Sequence, residues 1–156
     1  MPECSRLADQ IRRTFAGENW HDAPLLEILE GVTAEMAAAR PIAKAHTIWE
    51  ILLHIAAWDK AVTRRLAGEA LELSAEENFP PIPEKSEAAW KKAMASAKST
   101  HAALVQAVEA FPEARLRERV PGKKQAHYTF FYMLSGIAQH EVYHAGQILM
   151  LKRAQS

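Results

Sequence analysis

The stretch MLSGIAQHEVYHAGQILMLKR, residues 133–153, sets the fold class of this chain. Its apolar residues recur every three or four positions, which is the spacing of one face of an α-helix. His140, His144 and Gln147 fall in the same stripe, among aliphatic side chains and away from the polar face. The sequence therefore predicts a long helix from about Tyr128 to Arg153 that directs polar groups toward the core.

Three further long helices are predicted upstream of this one, each from its own apolar spacing and its start and stop signals. Shorter helical pieces are expected at residues 25–30 and 33–39, and the proline-containing segment 69–85 is expected to be a loop that walls a site. We predict an all-α four-helix bundle with short extra helices, forming a single domain over residues 1–156. The signals are the spacing of Leu7, Ile11 and Phe15, the capping box Thr47-Ile48-Trp49-Glu50 with Gly68 downstream, and Ser86 with Pro112 downstream.

Composition excludes several classes of protein. The 156 residues are 49% apolar and 24% charged, and they carry a formal net charge of zero, so we expect no nucleic-acid or anionic-membrane partner. Cys4 is the only cysteine, which excludes an internal disulfide and a cysteine-based zinc site. The longest apolar run, Phe130–Leu134, is far too short to span a membrane, and the N-terminus lacks a secretory pattern. We expect a cytoplasmic protein.

The histidine spacing predicts a metal site. His140 and His144 lie one helical turn apart, and two imidazoles at that spacing can bind one metal ion. His54, in an apolar context on the second long helix, is the best candidate for a third ligand. Three histidines leave one coordination position open, as in catalytic metal sites. The alternative is a pair of core histidines with ordinary hydrogen bonds, and a satisfied core position is also the favoured interpretation of His101.

Three other residues are candidates for the surroundings of this metal. Trp58 lies one turn from His54 and could line a pocket, and Gln147 could orient a ligand or substrate. Glu141 completes an H-E-x-x-H pattern and is expected at the rim of the site, either as a general base or as an ordinary exposed helix glutamate. The rest of the zinc-protease pattern is missing, which argues against a peptidase.

Two stretches carry a family resemblance: HTIWEILLHIAAW at residues 46–58 and QHEVYHAGQI at residues 139–148. With them, the chain resembles the DinB/YfiT-like family over essentially its whole length. The resemblance implies an up–down–down–up four-helix bundle, a metal site formed by His54, His140 and His144, and frequent homodimers. Characterised relatives include thiol-dependent S-transferases and isomerases that use bacillithiol, mycothiol or glutathione.

We therefore predict a metal-dependent enzyme that transfers a low-molecular-weight thiol to a small electrophilic molecule, a detoxifying reaction. Zinc or nickel is the expected ion, and three imidazoles also accept iron or manganese. One alternative is a metal-dependent hydrolase with Glu141 as general base. The other is a non-enzymatic metal-binding or sensor protein.

Overall fold

The computed structural model describes residues 1–156 and confirms the all-α prediction. It contains seven α-helices and one short 3₁₀ helix at Glu113–Arg115. None of the helices combines the length and the apolar composition that crossing a bilayer requires. The α-helices are α1 Glu3–Phe15, α2 Leu25–Ile28, α3 Ala34–Ala38, α4 Ile48–Leu66, α5 Ala75–Asn78, α6 Glu87–Glu109 and α7 Phe130–Arg153.

Side-chain caps fix where three of the four long helices begin, α4, α6 and α7. The predicted capping box opens α4, since the Thr47 hydroxyl accepts from the Glu50 N–H and the Glu50 carboxylate accepts from the Thr47 N–H. The last helix begins at Phe130, two residues later than predicted. Thr129 caps it by accepting a hydrogen bond from a backbone N–H three residues further on. The Tyr128 carbonyl instead accepts from the backbone of the preceding connection, which excludes that residue from the helix.

The buried apolar side chains form two clusters, one toward each end of the bundle, and these clusters give the topology. One cluster joins the C-terminal ends of α1 and α7 to the N-terminal ends of α4 and α6, and the other joins the four remaining ends. Helices α1 and α7 therefore run in one direction, and α4 and α6 run in the other. This is the predicted up–down–down–up arrangement. The upper cluster includes Phe15, Ile48, Trp90 and Ile148. The lower cluster includes Leu7, Leu66, Val108 and Phe130.

The connection between α4 and α6 is long because these two helices are parallel. A chain that leaves the end of α4 must travel back along the bundle, about 28 Å for a helix of 19 residues, before α6 can begin. The predicted loop 69–85 makes this return and contains the short helix α5, which a capping box between Ser74 and Glu77 opens. The return segment runs along α4 and reaches the level of His54.

A polar layer separates the two apolar clusters. Each long helix contributes one buried polar side chain to it: Thr14 from α1, Asp59 from α4, His101 from α6 and Glu141 from α7. In every helix, apolar residues of the lower cluster lie on one side of this position and residues of the upper cluster on the other. The layer therefore crosses the whole bundle near its middle.

Candidate metal centre

Three histidines from two helices meet where α4 packs against α7. His54 comes from α4, and His140 and His144 lie one turn apart on α7. The Nε2 atom of His140 lies 3.0 Å from Nε2 of His54 and 3.0 Å from Nε2 of His144. His54 and His144 are buried and His140 is half-buried. The three residues predicted from the sequence thus bring one ring nitrogen each to a common point.

The hydrogen-bond partners of the Nδ1 atoms determine the tautomers of two of these rings, His54 and His144. Nδ1 of His54 lies 2.6 Å from the main-chain oxygen of Asn78, and Nδ1 of His144 lies 2.6 Å from Oε1 of Gln147. Because an amide oxygen accepts hydrogen bonds, each Nδ1 carries the hydrogen and each Nε2 has a lone pair. Two lone pairs therefore face the centre of the triad, with their rings oriented from behind as in metal sites.

Burial favours the neutral form of all three imidazoles. Burial, together with the neighbouring His144 and His54, lowers the pKa of His140 to about 3. Burial also lowers the pKa values of His54 and His144. The buried Nδ1 atom of His140 has no hydrogen-bond partner. Neutral imidazole is the form that binds divalent transition metals, so this donor set fits a divalent ion.

Asn78 and Phe79, at the end of α5, hold His54 from the return segment. The Phe79 ring stacks on His54, with centroids 4.1 Å apart, and its other face stacks on His46 at 3.9 Å. The Asn78 side chain also accepts a hydrogen bond of 2.8 Å from the Trp58 indole N–H. Sequence analysis predicted that this segment walls a site but did not identify these residues, because a loop has no periodicity to reveal them.

Replacing Asn78 with alanine is expected to release Trp58 and to leave the metal in place. Trp58 loses its side-chain acceptor, at a cost of about 1 kcal/mol, whereas His54 keeps its main-chain acceptor. The indole N–H resonance of Trp58, assigned with Trp58→Phe, should move upfield while metal content is unchanged. Asn78→Asp retains an acceptor and serves as the matched control. An unmoved resonance in Asn78→Ala would contradict the assigned contact.

Trp58 forms part of a largely apolar cavity of about 420 Å³ that opens onto the triad. The fully buried guanidinium of Arg65 lies 5.4 Å from the centre of the Trp58 ring and is itself held by the Leu71 carbonyl. The predicted position of Trp58 beside a pocket is therefore observed. The cavity is lined by His54, Trp58, Val62, Arg65, Asn78, Tyr128, Tyr132, Met133, Gly136, Ile137 and His140.

Gln147 orients His144, and its removal is expected to weaken metal binding. Gln147→Leu deletes the acceptor for Nδ1 of His144, and losing such an outer partner typically costs about 10- to 100-fold in metal affinity. Competition with a chromogenic chelator measures this affinity. Gln139→Leu, at an exposed position of the same helix, is the control and should bind metal as the unmodified protein does. Equal affinities in the two variants would remove Gln147 from the site.

Glu141 does not lie at the rim of the triad, contrary to the prediction. Its side chain is fully buried in the polar layer, where it contacts Thr14 and lies 3.0 Å from Nδ1 of His101. Successive helical residues point about 100° apart, and α7 packs against both α1 and α4. His140 therefore faces His54, while Glu141 faces the other side of the bundle. This position gives no support to Glu141 as a base acting at the triad.

His101 occupies the core position that the sequence predicted, but it contacts two acids there. Its Nδ1 atom lies 3.1 Å from Asp59 Oδ2 and 3.0 Å from Glu141 Oε1. Burial raises the pKa of Asp59 to about 8. Burial alone would lower the pKa of His101, but its hydrogen bonds to Asp59 and Glu141 raise it to about 9. The polar layer holds two carboxyl groups and only one imidazole. Asp59 and His101 therefore retain protons to a higher pH than they would in water.

Comparison with known proteins gives one match. A family model described as the DinB superfamily matches residues 19–148. No curated protein and no solved structure matches the chain. The matched range contains the three histidines of the triad together with Trp58 and Gln147.

Proposed function

This chain belongs to the DinB superfamily, and we propose that it is a metal-dependent enzyme that transfers a low-molecular-weight thiol to a small electrophile. His54, His140 and His144 are the proposed ligands of the ion. The observation that carries the proposal is the convergence of three neutral imidazoles beside an accessible cavity. An ion held by three protein ligands keeps a coordination position for an exogenous group, which closed structural sites lack.

Zinc or nickel is the proposed ion, and iron or manganese also suits imidazole donors. A divalent ion at this position lowers the pKa of a bound thiol and so supplies a nucleophile near neutral pH. The proposed thiols are bacillithiol, mycothiol and glutathione. Their use by this chain rests on the family resemblance of residues 46–58 and 139–148.

The cavity residues would bind and orient the electrophile. Trp58, Met133 and Ile137 provide an apolar wall that excludes water from the reacting groups, and Trp58 is held by Asn78 and Arg65. In the proposed transfer, the thiol sulfur forms a bond to the electrophilic carbon. The leaving group departs with the electron pair of the broken bond, and the thiol proton is released to solvent.

The test measures conjugation of each of the three thiols to 1-chloro-2,4-dinitrobenzene, with metal-loaded protein and with chelator-treated protein. We expect one thiol to react well above its rate in solution, with chloride released and the acceleration lost on metal removal. His140→Ala should abolish it, and Gln139→Leu should not. Metal-loaded protein that accelerates none of these thiols, with this and other electrophiles, would favour a non-enzymatic metal-binding or sensor role.

We propose that the chain forms a homodimer, as the family resemblance implies, and that this dimer binds the small-molecule substrate. Trp20 and Tyr143 support an interface at this side of α7, because both are large side chains that remain mostly exposed in the single chain. Light scattering coupled to size-exclusion chromatography should give twice the mass of the chain. The double variant Trp20→Ser/Tyr143→Ser should lower that mass, and a monomeric unmodified protein would refute the proposal.

A further inference from the structure

The histidine and threonine donors of the polar layer carry fewer hydrogen atoms than their contacts require. Nδ1 of His101 has a single hydrogen, but it lies at hydrogen-bond distance from carboxylate oxygens of both Asp59 and Glu141. The Thr14 hydroxyl likewise has one hydrogen, and it contacts both the Ile11 carbonyl and the second carboxylate oxygen of Glu141. Two donors thus face four acceptor atoms, and no single hydrogen serves two acceptors well.

Two further atoms of the layer have no partner at all. Oδ1 of Asp59 and Nε2 of His101 are buried and make no hydrogen bond. Asp59 and Glu141 are fully buried, and neither a lysine nor an arginine contacts them. The His101 imidazole is the only cationic group that contacts them, so two buried carboxylates share at most one positive charge, and such an imbalance is costly.

The donor atoms have the spacing that a metal ion needs. One ligand atom each from Asp59, His101 and Glu141 lies within 4.8 Å of the others, and His101 Nδ1 lies 3.1 and 3.0 Å from the two oxygens. Atoms about 3 Å apart subtend about 90° at an ion roughly 2.1 Å from each, which is the angle between neighbouring ligands of an octahedron. The same separation of 3.0 Å occurs between nitrogens of the histidine triad.

The layer borders a surface cavity at the side of α1. Thr14 lines a surface cavity of about 920 Å³ between α1 and α7, and its hydroxyl contacts Glu141. The walls of this cavity include Gln139 and Tyr143, whereas none of the three triad histidines lines it. The cavity that borders the layer is therefore a different one from the cavity beside the triad.

We propose that Asp59, His101 and Glu141 form a second divalent-metal site in the centre of the bundle, distinct from the histidine triad. The ion replaces the protons that the layer otherwise holds and neutralises its two carboxylates. Two carboxylates and one imidazole favour a harder ion than three imidazoles do, and Mn²⁺ is the best match to this donor set. This inference does not depend on the activity proposed above.

The experiment loads the protein with Mn²⁺, removes free ion and measures bound manganese by mass spectrometry. The triple variant His54→Ala/His140→Ala/His144→Ala, which deletes the other site, should retain about one Mn²⁺ per chain. Adding Asp59→Asn and Glu141→Gln to that triple variant should reduce the content to zero, since carboxamides keep the shape of the side chains but lose their charge. Gln106→Leu in the triple variant, at an exposed position of α6 that lines neither cavity, is the control and should not change the content.

A measurement on the unmodified protein covers the case in which these variants do not fold. Crystals of the Mn²⁺-loaded protein, measured at the manganese edge, should show an anomalous peak bonded to Asp59 and Glu141. A triple variant that is helical by circular dichroism yet binds no manganese would refute the proposal. An unmodified crystal with no peak in the polar layer would refute it as well, and protons alone would then neutralise the layer.

Discussion

Replacing His140 with alanine is expected to reduce the bound metal by about one ion per chain and to abolish any activity that depends on it. His140 is the central member of the triad, because its Nε2 atom lies 3.0 Å from the corresponding atoms of both His54 and His144. The remaining two imidazoles come from different helices and form no chelate on one helix face. We expect a loss of affinity well beyond the roughly 10- to 100-fold typical of losing an outer partner.

Mass spectrometry of the purified protein measures this loss, and circular dichroism verifies the fold. The fold should be retained, since His140 is half-buried and its Nδ1 atom has no hydrogen-bond partner to lose. His144→Ala should behave similarly, and His54→Ala should also lose the metal, although His140 and His144 remain together on one helix. Full occupancy of the site in His54→Ala would show that the third ligand is a different residue.

Replacing Trp49 with alanine is expected to destabilise the bundle by about 3–5 kcal/mol, a large share of the typical stability of a domain. The Trp49 side chain is fully buried in the upper cluster, and its ring meets that of Trp90 edge to face with centroids 5.1 Å apart. The substitution leaves a cavity that neighbouring helices cannot close. Urea unfolding monitored by circular dichroism measures the change as a lower midpoint at unchanged slope.

Trp49→Phe is the matched control and should cost much less than Trp49→Ala. The indole N–H of Trp49 has no acceptor, so phenylalanine loses only volume there. The indole N–H of Trp90, by contrast, donates to the Val32 carbonyl at 2.8 Å, so Trp90→Phe breaks a buried hydrogen bond and should cost more than Trp49→Phe. Equal costs for Trp49→Phe and Trp49→Ala would show that packing is not the main contribution.

Local signals were sufficient to predict the four long helices, whereas the short helix α5 lies in a segment predicted to be a loop. The Thr47 capping box and the apolar spacing of α4 act within a few residues of each other, so the sequence alone indicates where that helix starts. The beginning of α7 was predicted two residues early, because apolar spacing continues through Tyr128 and does not show that its carbonyl bonds to another segment. Helix direction came from the family resemblance, since nothing in a single helix specifies how its neighbours run.

The triad was predictable because its strongest signal is local. His140 and His144 share a helix, and one turn of spacing already places them together. Asn78 and Phe79 were missed because their contacts with His54 depend on the path of a return segment through space. Side-chain patterns cannot specify such a path.

Glu141 was placed wrongly for a related reason. An H-E-x-x-H pattern suggests that the glutamate accompanies the histidines, yet α7 is buried on two sides and Glu141 belongs to the second. A signal did exist in α4, where Asp59 lies four residues after Ile55 and three before Val62, which is the spacing of the apolar face. Matching buried polar residues across helices would have found the layer.

The polar layer also decides how the helices align along their axes. Aliphatic side chains pack almost equally well after a helix slides by one turn, about 5.4 Å, because one leucine then replaces another. Such a slide of α7 would move Glu141 into an apolar cluster, away from Thr14 and His101, and would leave a carboxylate without partners. Misaligned packings are thereby made unfavourable, so four polar side chains select one axial alignment of the bundle from several that its aliphatic residues would accept.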